Sequence, residues 1–199
     1  MADGRRIVLG TRNAHKVSEL AAILANALPG WELLPTDGPE PVEDGETFAE
    51  NALIKARAAS ARSGLPALAD DSGIAVDALD GSPGIHSARY AGTREDRDNV
   101  DLLLRNLASA EDRSARFVCA AAFVAPDGTE LVEVAEWTGV VLDAPVGDGG
   151  FGYDPVFRPD GSAVSLAEYS SAEKNAVSHR TRAFLAIAPA VTAWAAARP

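Results

Sequence analysis

Four short runs carry more polar side chains than their apolar flanks require. In Ala69-Asp70-Asp71-Ser72-Gly73, two adjacent carboxylates stand between strand-like segments. Along an extended chain Asp70 and Asp71 point to opposite faces, which gives them different jobs. One can ligate magnesium, a hard cation that prefers carboxylate oxygen and keeps several waters. A carboxylate beside such a metal can also orient or deprotonate an attacking water. The plain alternative is a turn between two strands, with Gly73 letting the backbone bend sharply.

The run Thr11-Arg12-Asn13-Ala14-His15-Lys16 lies between a strand and a helix. If Asn13 is the N-cap, Lys16 sits in the first helical turn, where a cation is on the wrong side of the helix dipole. A phosphate there would reverse the sign, because free amides, dipole and Lys16 would all face one anion. The alternative is a plain cap followed by a solvated lysine. The spacing of a P-loop is absent. In the acidic run Glu43-Asp44-Gly45-Glu46-Thr47, either Glu43 or Glu46 could reach a metal bound elsewhere, or both could be solvated acids. Asn51 and Lys55 follow, four residues apart on one helix face.

Gly149-Gly150-Phe151-Gly152-Tyr153-Asp154-Pro155 alternates glycines with aromatics. That makes poor core but a good platform for a flat base; a tight loop packed by its own rings is the alternative. Downstream, Lys174 and Ser178-His179-Arg180 supply donors, which suit a 6-keto purine better than the amino group of adenine.

The elements that must position these groups read as α/β. Arg6 to Gly10 is a short buried strand, and Val17, Leu20, Ala21, Leu24 and Leu28 recur at helical spacing until Pro29-Gly30. Trp31 to Leu34 is a second strand. Thr47-Phe48-Ala49-Glu50 is a capping box opening a helix that ends at Gly64. Ala67 to Leu79 reads as two short strands interrupted at Asp70-Asp71-Ser72-Gly73. Glu95 to Leu107 is helical. Ala115 to Ala125 and Thr129 to Leu142 form a long antiparallel hairpin around Pro126-Asp127-Gly128, so the sheet is mixed. Helix starts at Ser165 and Ser170 precede a final helix from about Ser178, which Pro189 should kink.

With 199 residues and 47% hydrophobic content, the chain is expected to form a single domain over 1–199 with a real core. A net charge of -11 argues against a nucleic-acid or anionic-membrane partner. It also requires that any polyphosphate site gather its few cations locally or recruit a metal. The apolar run Ile7-Val8-Leu9 is too short for a leader, no stretch reaches membrane-spanning length, and the lone Cys119 suits a reducing compartment. The cytoplasm is therefore expected, with Cys119 a buried structural thiol.

In order along the chain stand Thr11-x-Asn13-x-x-Lys16, Thr47-Phe48-x-Glu50-Asn51-Ala52 with Lys55, and Ala69-Asp70-Asp71-Ser72-Gly73. Gly84-Ile85-His86-Ser87-Ala88-Arg89-Tyr90, Gly150-Phe151-Gly152-Tyr153-Asp154-Pro155 and Ser178-His179-Arg180 complete the set. Together they resemble the inosine triphosphate pyrophosphatase family, also called XTP/dITP diphosphatases. The resemblance implies an elongated, two-lobed α/β fold with a long mixed sheet flanked by helices, a nucleotide cleft between the lobes, and a homodimer. It implies magnesium-dependent hydrolysis of ITP, dITP and XTP to the monophosphate and pyrophosphate.

By similarity, Thr11, Asn13, Lys16 and Lys55 hold the triphosphate, within a substrate-binding run that also includes Arg12, Ala14 and His15. Ser72 contacts substrate. Glu43 and Asp71 sit at magnesium, with Asp70 assisting, and Asp71 is the general base. Phe151, Gly152, Tyr153 and Asp154 shape the base and sugar pocket, while Lys174, His179 and Arg180 read the purine edge. Arg89 fits a structural or dimer role. Glu46 is the rival to Glu43. Two other readings keep part of this pattern: a pyrophosphatase for modified pyrimidine nucleotides, and a non-catalytic nucleotide sensor, which would need no paired acids.

Overall fold

The computed structural model describes residues 5–198, so Met1–Gly4 of the stretch read for a leader lie outside the described residues. β1 (Arg6–Leu9) leads into α1 (Ala14–Ala27), which Asn13 caps by accepting from the amides of His15 and Lys16. Its buried stripe is Leu20, Ile23 and Leu24, the helical spacing read from the sequence. The chain turns at Gly30, in the left-handed region at φ 81°, and returns as β2 (Glu32–Pro35), parallel to β1.

α2 (Phe48–Ser63) begins at the expected capping box and ends at Gly64, whose φ of 67° is the left-handed cap that glycine adopts without strain. Its inner face is alanine: Ala52 and Ala56 pack with Ala69, Ala120 and Ala122. Small side chains let the helix lie close to the sheet. At Gly10 an added Cβ would come within 3.2 Å of the Lys55 carbonyl oxygen, so the glycine permits that approach.

β3 (Ala67–Val76) corrects the expectation of two interrupted strands. The ten residues form one strand, almost wholly buried, and Asp70 and Asp71 stay within it. They do so because cationic partners compensate their charge inside the sheet, which removes the need for a solvated turn. Gly73 serves contact rather than bending: a Cβ there would strike Ser87 and the Gly84 carbonyl.

α3 (Asp96–Asn106) precedes β4 (Ser114–Val124) and β5 (Glu130–Val141), joined by the expected turn, in which Ala125 and Thr129 are hydrogen-bonded. β6 (Phe157–Pro159), α4 (Ser171–Val177) and α5 (His179–Ala196) complete the chain; α5 runs through Pro189 as one element. The sheet order is β2-β1-β3-β4-β5-β6, with β1 parallel to β2 and β3, and β6 antiparallel to β5. The sheet is therefore mixed, as the hairpin required, and helices flank it.

Contacts divide the chain into two compact units. The first comprises Met1–Asp71, Cys119–Ala135 and Arg180–Pro199. Its core gathers Ile7, Leu20, Leu24, Leu68, Phe123 and Phe184, with Trp194 edge-on to Phe123 at 5.1 Å. Cys119 is fully buried there, and burial followed by the charge of Asp70 pushes its thiol up to about 12. The second unit comprises Ser72–Val118 and Glu136–His179, built on Ile74, Leu103, Phe117, Trp137, Phe157 and Leu166. Among the described residues no helix is long and apolar enough to cross a membrane.

Candidate active site

The start of α1 carries the first group. Thr11 Oγ1 accepts from the Asn13 amide at 3.3 Å, and Asn13 caps the helix at 2.9 Å from the His15 amide. Ala14 and His15 lie exposed in the first turn. Arg12 turns aside, its guanidinium donating to the Gly38 carbonyl at 3.0 Å. Lys16 bears its charge at the unfavourable end of the dipole, and the compensation is direct: its Nζ lies 3.0 Å from Asp70 Oδ2.

Asp70 is completely buried, and Arg180 Nε also approaches its Oδ2, at 3.3 Å. Arg180 is itself 2% exposed and pairs through Nη1 with Glu19. Burial alone would raise the Asp70 pKa, but Lys16, Arg180 and Lys55 outweigh it and hold the carboxyl well below the usual range.

Asp71, the next residue along β3, meets a different cation, as alternation along a strand predicts. Lys55 Nζ donates to Asp71 Oδ1 at 2.7 Å and lies 3.4 Å from Glu43 Oε2. Here burial prevails, and the Asp71 carboxyl titrates above its ordinary value despite Lys55. Burial pulls the Lys55 ammonium down, yet Asp71, Asp70 and Glu43 together leave it raised and charged. Of the two acids considered for the loop, Glu43 is the one brought to this cluster. Among the described residues the Glu46 carboxylate forms no ion pair with Lys55, whose partners are Glu43 and Asp71.

The second unit holds the other residues. Asp154 Oδ2 accepts from Lys174 Nζ at 2.6 Å and from the Phe151 amide at 2.9 Å. Lys174 also stands 4.6 Å from the Phe151 ring centroid, a cation–π approach. Tyr153 is buried, its hydroxyl donating to the Ser87 carbonyl at 2.9 Å. The aromatic run thus divides: Tyr153 anchors the loop in the core, and Phe151 is the partly accessible ring. His179 is buried and stacks on Phe117, with centroids 4.9 Å apart and planes 10° from parallel. Ser72 is half-buried in β3, and Arg89 is exposed at the end of the 3-10 turn Gly84–Arg89.

Three contacts were not foreseen. Glu19 orients Arg180, Asp96 Oδ2 accepts from the Gly152 amide at 2.6 Å, and Asn51 Oδ1 accepts from the Gly45 amide at 2.9 Å. Asn51 had a sequence signal, its spacing from Lys55. Asp96 and Glu19 sit on ordinary polar helix positions and had none.

In the first unit Lys16, Lys55 and Arg180 pair with Asp70, Asp71, Glu43 and Glu19 in a largely buried cluster. Asp70 Oδ1 and Asp71 Oδ2 are buried and have no hydrogen-bond partner among the described residues. Buried carboxylate oxygens with unused lone pairs, beside lysines suited to phosphate, fit a hard divalent cation and a polyanion together. No group of three or more acids, histidines or cysteines converges among the described residues.

A model of the Ham1 family matches residues 7–190. This chain is a member of the Ham1 family. The Ham1 match agrees with the resemblance carried by the six motifs. A dITP/XTP pyrophosphatase of Streptomyces coelicolor is 51% identical over 193 residues, covering 94% of this chain and 96% of the relative. The HAM1 protein of Coxiella burnetii superposes with a TM-score of 0.86 at 38% identity, covering 94% and 98% of the two chains. A nucleoside-triphosphatase / dITP/XTP pyrophosphatase of Mycobacterium abscessus gives 0.75 at 44% identity, covering 92% and 99%. The mixed sheet flanked by helices is the fold of these Ham1 structures.

Proposed function

We propose that this Ham1-family chain is a magnesium-dependent pyrophosphatase that hydrolyses ITP, dITP and XTP to the monophosphate and pyrophosphate. The observation that carries the reading is the pairing at Asp70-Asp71. Two neighbouring carboxylates of one strand are each matched by a lysine from a different helix, in a chain about half identical to proteins named dITP/XTP pyrophosphatases.

Glu43 and Asp71 would hold the magnesium, with Asp70 assisting. When bound, the ion neutralises phosphate oxygens and lowers the pKa of a coordinated water. Thr11, Asn13, Lys16 and Lys55 take the triphosphate, drawing on the amides and dipole at the start of α1; Arg12, Ala14 and His15 complete that run, and Ser72 adds a contact. Asp71 accepts the proton of the water that attacks the α-phosphorus. A new phosphorus–oxygen bond forms, the α–β anhydride breaks, and pyrophosphate departs. Asp71 suits this role because its buried Oδ2 has no hydrogen-bond partner among the described residues while Lys55 holds its Oδ1.

The base lies against Phe151, with Gly152, Tyr153 and Asp154 shaping the loop around it. Lys174, His179 and Arg180 read the purine edge, Arg180 with a guanidinium oriented by Asp70 and Glu19. A 6-keto oxygen accepts from these donors; adenine's amino group would leave them unpaired, at about 1–3 kcal/mol per group. The chain works as one catalytic domain, as a cytoplasmic homodimer, without nucleic acid or membrane.

The deciding experiment is a substrate panel of ITP, XTP, dITP, ATP and GTP, with and without magnesium, in which products are identified. Pyrophosphate with the monophosphate, formed only with magnesium and fastest from ITP, dITP and XTP, is expected. Orthophosphate with the diphosphate would refute the reaction, and equal cleavage of ATP would refute the base assignment.

A further inference from the structure

We infer that Asn51 is a positioning residue. Its side-chain carbonyl fastens the acidic loop to α2 and so sets where the Glu43 carboxylate stands. This rests on the reading of Glu43 as a metal ligand proposed above.

Three consecutive loop amides are caught by side chains of α2. The Glu46 and Thr47 amides donate to Glu50 Oε2 at 2.6 and 3.1 Å, and the Gly45 amide donates to Asn51 Oδ1 at 2.9 Å. The Thr47 bond belongs to the capping box, and the Glu46 bond adds one amide to the same Glu50 carboxylate at the start of the helix. The Asn51 bond lies outside that box and reaches further up the loop, toward Glu43.

Packing does not explain a polar side chain at this place. Asn51 is 1% exposed, and its Nδ2 is buried without a hydrogen-bond partner among the described residues. An apolar side chain of the same size would avoid that desolvation cost. The polarity of Asn51 is therefore spent on Gly45. Gly45 is matched to it: an added Cβ would lie 2.8 Å from Asn51 Oδ1 and 2.7 Å from Glu50 Cβ. Only glycine lets the loop come this close.

Lys55 stands one turn later on the same helix face and lies 3.4 Å from Glu43 Oε2. α2 thus fixes Glu43 twice, through its loop backbone by Asn51 and through its carboxylate by Lys55. Freed of the first restraint, the carboxylate would remain but its position would be averaged, which weakens a metal site without removing a ligand.

The test compares Asn51→Leu, which removes the acceptor, with Asn51→Asp, which keeps an oxygen facing Gly45. Each is also made in a Glu43→Gln background. In the nucleotide-free protein, exchange of the Gly45 amide should quicken in Asn51→Leu and stay near wild type in Asn51→Asp. The magnesium concentration for half-maximal ITP turnover should rise about 10–100-fold in Asn51→Leu, with the KM for ITP at saturating magnesium little changed and Asn51→Asp restoring the requirement. In Glu43→Gln, adding Asn51→Leu should change the requirement no further.

Unchanged Gly45 exchange in Asn51→Leu overturns the inference, as does an equal rise in the two backgrounds. Should Glu43→Gln alone leave the magnesium requirement unmoved, the ligand role of Glu43 falls instead, and Gly45 exchange still decides whether Asn51 holds the loop. If Asn51→Leu does not fold, Gly45→Ala carries the same comparison, because its Cβ pushes the loop off the same contact.

Discussion

Arg180 Nε lies 3.3 Å from Asp70 Oδ2, a pairing between residues 110 apart in the chain that places a guanidinium wholly inside the protein. Lys16 shares that oxygen and Glu19 takes the other side of the guanidinium. Replacing Arg180 by Met keeps most of the volume but takes the guanidinium away from Glu19 and leaves the Asp70 carboxylate facing Lys16 with half of its cationic compensation gone. A broken buried pair of this kind costs about 3–5 kcal/mol, because the surviving charge stays desolvated. Urea unfolding should report a loss in that range. Arg180→Lys should lose less in stability, yet it forfeits the planar fork, so discrimination of ITP over ATP should still fall. An Arg180→Met protein as stable as wild type would show that Asp70 is satisfied by Lys16 alone.

Asp71 differs from its neighbour in its raised pKa, while both keep one buried carboxylate oxygen with no hydrogen-bond partner among the described residues. Asp71→Asn preserves shape and removes both the proposed base and the proposed anionic ligand. Loss of a general base alone is worth about 10²–10⁴-fold in rate. Turnover of ITP should therefore fall at least that far. Nucleotide binding, followed by calorimetry, should survive, since Lys16 and Lys55 remain. Near-normal turnover would remove Asp71 as the base.

Local chemistry was what the sequence made legible. The capping box at Thr47, the helix end at Gly64 and the cap considered at Asn13 depend on residues within one turn, and the structure has all three. The fate of Asp70-Asp71 was misread as a break because their partners are remote: Lys16 is 54 residues from Asp70 and Lys55 is 16 from Asp71. Two acids look like a turn until the cations that permit their burial are known. β6 has three residues, too few for an alternating pattern to declare itself. Glu19 and Arg180 meet across 161 residues and Asp96 and Gly152 across 56, distances over which no spacing rule operates.

Asp70 also sets a pH dependence of stability. Burial would raise its pKa, but Lys16 and Arg180 hold the folded-state value far below that of the unfolded chain. A depressed folded pKa means that the unfolded state binds the proton first. The stabilisation is then complete above the unfolded value, about 3.9 for aspartate, and drains away as the pH falls below it. Unfolding free energies measured from neutral pH to pH 3 should fall steeply at the acid end. The slope should be shallower in Asp70→Asn, which is less stable at neutral pH but has no such carboxylate to protonate. Parallel slopes in the two proteins would place the acid sensitivity elsewhere.

Asp96 tests whether the loop that carries Phe151 is held from outside. Its Oδ2 accepts from the Gly152 amide at 2.6 Å, Gly152 has a φ of 63°, and Asp96 opens α3, whose dipole favours an acid there. Asp96→Ala frees the Gly152 amide without touching Asp154, Lys174 or the carboxylates of β3. A hydrogen bond to a charged group is worth about 1.5–3 kcal/mol. If half of that is expressed in substrate binding, the KM for ITP rises about 4- to 12-fold while kcat changes little. Asp96→Asn, which keeps an acceptor in place, should recover most of the loss. Steady-state kinetics on the three proteins decide it: a fall in kcat at constant KM would mean that Asp96 acts on the reacting centre rather than on the loop.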